Sequence, residues 1–279
     1  MLSISALTAP INITVRGIRT SIVSVAFALL SCSSVAAGSA NVDQQPITVF
    51  AAASLADAMP ALSDAWQTEG GTEVRISLAA SGIIARQIEA GAAADLFVSA
   101  NQKWIKYLVD RGRSATAGKV VAQTRLAMVL PCSDAEAHQN LSDPQALKLF
   151  LASGRFAMAD PKVSPAGEYT RIALEELAIW GSVEKNATYA GNVRLALLLT
   201  ERGGLPGFVY AVDAHKSELA CAVMELPASS YPAIEYVGIV PQNISVNKND
   251  AAQAFLTWLT SPQAAVIWRQ HGFLSTVPN

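Results

Sequence analysis

Four places in this chain set a small or hydroxylated residue between an apolar strand and the start of a helix. Ser54 follows Phe50-Ala51-Ala52-Ala53 and precedes Leu55 to Met59. Ser81 follows Leu78-Ala79-Ala80 and precedes Ile83 to Glu89. The run Asp160 to Gly167, with Ala166 near its end, leads into a third helix, and Gly191-Asn192-Val193 leads into a fourth. Each helix start offers backbone N–H groups without intrahelical partners and the positive end of a helix dipole. Several such ends aimed at one point make an anion site with no charged side chain. Taken singly, Ser54, Ser81 and Asn192 are explained as ordinary N-caps, and Gly167 as a permissive loop residue. Tyr210, at the end of Gly207-Phe208-Val209, is explained as a packed ring with its hydroxyl at the surface. As a set they point to an oxyanion or another small polar ligand at converging helix starts.

The elements that must position these residues alternate apolar strands with amphipathic helices. Strands are expected at 47–50, 73–78 and 95–99, separated by helices over 55–69 and 83–89 and followed by one over 102–110. Such alternation predicts a parallel sheet covered on both faces. The segment 124–131 reads as a strand leaving this first sheet. A second series follows: a strand at 155–159, helices over 169–180 and 193–202, and strands at 207–210 and 221–226. The strand 234–240 returns the chain to the first lobe, where helices over 251–259 and 263–270 close it, the second beginning at Ser261-Pro262. Two crossings between two open sheets leave a cleft, the usual place for a small ligand. The expected division is a first lobe of 46–127 and 238–279 and a second lobe of 128–237.

Residues 1–40 do not read as fold. Arg16 and Arg19 precede the apolar run Ser21 to Leu30, which is short for a permanent membrane span. Small residues follow, with Val35-Ala36-Ala37 and Gly38-Ser39-Ala40 as cleavage sites. This is the order of a secretory signal, in preference to an N-terminal anchor. Leu29-Leu30-Ser31-Cys32 also resembles a lipoprotein cleavage box, though Leu30 is atypical for one, so lipidation at Cys32 ranks second. Removal of the signal leaves two cysteines, Cys132 and Cys221, in an oxidising compartment. They are read either as a disulfide or as two unrelated small buried residues.

Composition narrows the function classes. Twenty Lys and Arg against 22 Asp and Glu leave no basic excess, so a nucleic-acid partner is not expected. A hydrolase has no Gly-x-Ser-x-Gly elbow to work with, and His138, His215 and His271 stand in polar or terminal contexts. No Cys, His and carboxylate residues show metal-ligand spacing. The reading is therefore a non-enzyme without cofactor or bound metal.

The blocks Phe50 to Leu55, Ala85 to Gly91, Ala94 to Ala100 with Gln102-Lys103-Trp104, and Asp160-Pro161 with Pro165-Ala166-Gly167 resemble those of periplasmic molybdate-binding proteins. So do Asn192-Val193-Arg194, Val209-Tyr210 with Asp213-Ala214, and Ser261 to Ala265 ahead of Gly272-Phe273. The resemblance runs from about Ile47 to Phe273. It implies a two-lobe periplasmic binding protein of type II, with two crossover strands, that captures molybdate or tungstate and delivers it to the membrane permease of an ABC importer. Carried over by position, it implies hydroxyl donors at Ser54, Ser81 and Tyr210 and backbone donors at Ala166 and Val193. Gly82 departs from the hydroxylated residues common there, and Gly203-Gly204-Leu205-Pro206 is an altered loop before the tyrosine strand. A monomer in the periplasm is expected. The rival within the same fold is a binder of sulfate, thiosulfate, phosphate or an organic anion.

Overall fold

The computed structural model describes residue 12 and residues 45–276, apart from 115, 139–140 and 243–245. The signal segment and Cys32 lie outside the described residues.

Among the described residues, ten strands fall into two five-stranded sheets. The first contains β1 (Ile47–Ala52), β2 (Val74–Ala79), β3 (Leu96–Ser99) and β4 (Lys119–Thr124). The chain then leaves it for β5 (Leu126–Pro131), β6 (Phe156–Ala159), β7 (Ala187–Ala190), β8 (Gly207–Tyr210) and β9 (Ala220–Glu225), before β10 (Ile234–Ile239) returns. The orders are β2-β1-β3-β10-β4 and β7-β6-β8-β5-β9. Leu126 pairs with Tyr210 while Thr124 pairs with Ile234, so Arg125 alone separates the sheets on the outward crossing.

The three alternating strands β1, β2 and β3 form the expected parallel arrangement, and each sheet also has an antiparallel half. β1 pairs in parallel with β2 and β3, but β10 runs antiparallel to β3 and β4. In the second sheet β5 runs antiparallel to β8 and β9. The exchange of strands is the cause: β5 and β10 enter each sheet from the other, not through a right-handed helical crossover. β4 and β7 were not read from the sequence. β4 carries only Val120, Val121 and Ala122 as apolar residues between Lys119 and Gln123-Thr124, and β7 alternates too weakly to stand out.

The helices are α1 (Ala58–Thr68), α2 (Ser81–Glu89), α3 (Gln102–Asp110), α4 (Pro144–Ser153), α5 (Pro165–Glu176), α6 (Trp180–Val183), α7 (Val193–Glu201), α8 (Ala211–His215), α9 (Val246–Trp258) and α10 (Pro262–Gln270). α1 starts three residues later than expected, after a 3-10 turn at Ala53–Leu55. Pro60 accounts for this, since its ring tolerates only the first turn of a helix. α5 starts four residues earlier than expected, with Pro165 at its first position, where a missing N–H is harmless. α2 and α3 lay Ile84, Ala85, Ile88, Trp104, Ile105 and Leu108 over Phe97. That buried wall holds the N-terminus of α2 at a fixed depth.

Cys132, just beyond β5, is joined to Cys221 of β9 by a disulfide with Cα atoms 4.8 Å apart. It clamps neighbouring strands of the second sheet, well away in sequence from the helix starts.

Candidate functional site

The strand-to-helix junctions of the two sheets meet around one small cavity. Ala52, Ala53 and Ser54 after β1, Ala80 and Ser81 before α2, and Ala100 after β3 line it from the first sheet. Ser164 and Pro165 before α5, Asn192 and Val193 at the start of α7, and Tyr210 at the end of β8 line it from the second. Its volume is about 10 Å³, far below the hundreds of Å³ that an extended organic ligand fills. Four of the five expected residues line it. The fifth, Ala166, is buried at the second position of α5 and does not itself line the cavity. Ser164, Ala100 and Asn192 complete the wall and were not singled out as ligands, because side chains of these types give no signal beyond a cap or a turn.

Neither serine is an N-cap. Ala80 holds the cap position of α2, and Ser81 is the first helical residue. The Ser81 hydroxyl oxygen instead accepts the backbone N–H of Ala100 at 3.1 Å. Ser54 sits inside the 3-10 turn, and its hydroxyl oxygen accepts from the Tyr236 hydroxyl at 2.8 Å. With an incoming hydrogen bond on each oxygen, both serine O–H groups are left to donate. Asn192 does cap α7, its side chain accepting from Leu195 N–H at 3.0 Å. The Val193 N–H, at the first helical position, has no acceptor within the helix, and neither has that of Ala166.

Tyr210 completes the set. Its hydroxyl is buried and has no hydrogen-bond partner among the described residues, a state that costs about 1–3 kcal/mol in a folded protein. Burial also pushes its pKa well above the ordinary value, so the phenol keeps its proton. The surface hydroxyl expected of a merely packed ring is not what is seen.

No lining residue carries a charge. Arg194 follows Val193 directly, yet its charge is spent elsewhere. Its Nη2 donates to Asp57 Oδ2 at 2.6 Å and its Nε lies 2.5 Å from Asp213 Oδ1. The same guanidinium reaches the Ser54 carbonyl at 3.4 Å, so α7 of the second sheet is tied to the turn after β1. On the opposite side, Gly82 N–H donates to the Val163 carbonyl at 2.9 Å. Lys103 Nζ and Asn101 Nδ2 reach the two carboxylate oxygens of Glu168 at 2.7 and 3.3 Å. Gly82 is required by this approach. A Cβ there would stand 2.3 Å from the Trp104 ring and 2.6 Å from the Val163 oxygen, which is why a hydroxylated residue is absent at that position.

His215 and His271 do not line the cavity, and the side chain of His138 lies outside the described residues. Among the described residues no group of three His, Cys, Asp or Glu is placed to hold a metal ion.

The arrangement turns uncharged donors toward one small space. The sequence profile of the bacterial extracellular solute-binding proteins matches residues 47–274. The chain belongs to that family. Within it, this solute-binding protein is 38% identical over 249 residues to the molybdate-binding protein ModA of Escherichia coli (strain K12), covering 88% of this chain and 96% of that one. It is 33% identical over 231 residues to the molybdate-binding protein ModA of Haemophilus influenzae, covering 81% and 89%. Among solved structures, the periplasmic molybdate-binding protein of Azotobacter vinelandii superposes with a TM-score of 0.69 at 22% identity, over 84% of this chain and all of that one. At that identity it supports the two-sheet α/β fold. The matched family and the named relatives are solute-binding proteins.

Proposed function

We propose that this chain captures molybdate, and tungstate equally, between its two sheets and delivers it to the permease of an ABC importer. One observation carries the reading: a small uncharged cavity lined by donors, one of which, the Tyr210 hydroxyl, is buried without a partner. The hydroxyls of Ser54, Ser81 and Tyr210 and the amide of Val193 donate to the oxygens from the wall, and the amide of Ala166, one residue beyond the lining Pro165, is the fifth donor that the family resemblance implies. A dehydrated dianion loses its water contacts and needs such a set in return. The names of the relatives supply the metal; the chemistry of the wall supplies the tetrahedral oxyanion. Molybdate and tungstate are nearly equal in size and are held alike. Sulfate is smaller and sits loosely in a cage fitted to longer bonds.

The two sheets act as lobes, 46–127 with 238–279 and 128–237, that close over the ligand about the two crossings. The Arg194–Asp57 and Lys103–Glu168 pairs favour the closed form, which the permease reads. The protein works as a periplasmic monomer after removal of the signal within 1–40.

A thermal-shift panel on the exported protein tests this. A ligand at a hundredfold excess over its Kd adds about 2.7 kcal/mol of stability, so molybdate and tungstate raise the Tm by several degrees. A shift with sulfate, thiosulfate or phosphate and none with molybdate assigns the site to another anion.

A further inference from the structure

Ser54 faces the cavity, but a residue outside the cavity decides what its hydroxyl can do. Tyr236 lies on the return strand β10, fully buried, its ring edge-on to Tyr210 at 6.1 Å and to Phe273 at 5.2 Å. Its hydroxyl is 2.8 Å from the Ser54 oxygen. Two hydroxyls at that distance share one hydrogen. The phenol is the stronger acid of the two, and Ser54 is the acceptor its hydroxyl meets in this buried place. Were Ser54 to donate instead, the phenol hydrogen would be left buried and unpaired, with its desolvation uncompensated. The bond therefore runs from Tyr236 to Ser54, and the Ser54 hydrogen turns toward the cavity.

We propose that Tyr236 is a specificity-determining positioning residue that fixes Ser54 as a donor and so turns away oxyanions that still carry a proton. The assignment rests on the reading of the cavity as an oxyanion site. A fully deprotonated tetrahedral anion offers only acceptors and satisfies the wall. A hydrogen phosphate brings an O–H; Ser54 and Ser81 each already receive one hydrogen bond, from Tyr236 and from the Ala100 N–H, and accept a second only by turning their own hydrogen out of the cavity. The Ala100 donor is backbone and survives side-chain substitution. Tyr236 is the removable half of the device.

The test compares the full chain with Tyr236→Phe, Ser54→Ala and the double variant, each titrated with molybdate at pH 8 in the absence and presence of excess inorganic phosphate. The expected result is an affinity for molybdate about tenfold weaker in Tyr236→Phe, with phosphate now displacing molybdate although it does not from the wild type. In the Ser54→Ala background Tyr236→Phe changes affinity less than twofold, since its effect passes through Ser54. Wild-type affinity and unchanged phosphate exclusion in Tyr236→Phe overturn the assignment. Weakened molybdate binding with phosphate still excluded also overturns it, because a merely structural role gives that pattern. Failure of the wild type itself to bind molybdate strikes the underlying reading instead. If Tyr236→Phe does not fold, NMR of the unaltered protein decides. A slowly exchanging Tyr236 hydroxyl proton beside the Ser54 methylene supports the assignment, and one exchanging freely with water overturns it.

Discussion

The Ser81 hydroxyl oxygen accepts the backbone N–H of Ala100 at 3.1 Å, which leaves its hydrogen to offer a ligand. The bond joins the first residue of α2 to the residue after β3, so the proposed ligand contact and the local fold share one side chain. Ser81→Ala is predicted to weaken molybdate binding about ten- to hundredfold, the loss of one charge-assisted hydrogen bond. It also leaves the Ala100 N–H buried without a partner, so ligand-free stability in urea falls by about 1–3 kcal/mol. Titration and urea unfolding of one variant measure both, and an unchanged affinity would remove Ser81 from the site.

Tyr210→Phe should behave in the opposite way toward stability. Its hydroxyl has no hydrogen-bond partner among the described residues, so removing it relieves a desolvated polar group and leaves the ring packing intact. Ligand-free Tm is predicted to stay level or rise, while affinity falls about tenfold. A variant that loses stability and keeps its affinity would place the hydroxyl in the fold and not in the site.

Asp213 gives a pH dependence. Burial raises its carboxyl to about 6, against the opposing pull of the Arg194 guanidinium. The folded pKa lies above the ordinary 3.8, so between these values the native state holds a proton that the unfolded state has released. Stability from this group is present below about pH 4, declines as pH rises toward 6, and is level above. The interval corresponds to about 3 kcal/mol at most. Asp213→Asn lacks this dependence, so wild-type stability relative to the variant should fall between pH 4 and 6. Chemical denaturation of both proteins across that range checks it, and a rising difference contradicts the sign.

The disulfide between Cys132 and Cys221 closes a loop with a sequence separation of 89. A cross-link of that span restricts the unfolded chain and is worth about 4–5 kcal/mol in the loop-entropy account. Reduction should lower the urea midpoint markedly. Molybdate affinity should change little, since the bridge ties β5 to β9 and neither cysteine lines the cavity. A large loss of affinity on reduction would show coupling through β5 and β8.

Much of this was legible in the sequence because it depends on local pattern. Ser54 and Ser81 fall at the junctions that follow β1 and β2, and Tyr210 ends β8 just before α8, while α3, β8 and the return of β10 lie where their patterns place them. What stayed hidden is long-range. That Tyr236 reaches Ser54 across 182 positions, or that Arg194 spans Asp57 and Asp213, follows only from the exchange of strands between sheets. The same exchange sets the antiparallel halves, which no strand's own residues announce. The serines misled in a different way. A hydroxyl before a helix looks like a cap, and only the occupied oxygen of Ser81 distinguishes a donor from one.

The most direct test of the account is calorimetric titration of the exported protein with molybdate, tungstate and sulfate. One molybdate per chain, tungstate of closely similar affinity, and sulfate at least a hundredfold weaker are the predicted results. Tight binding of sulfate with no heat from molybdate would contradict it.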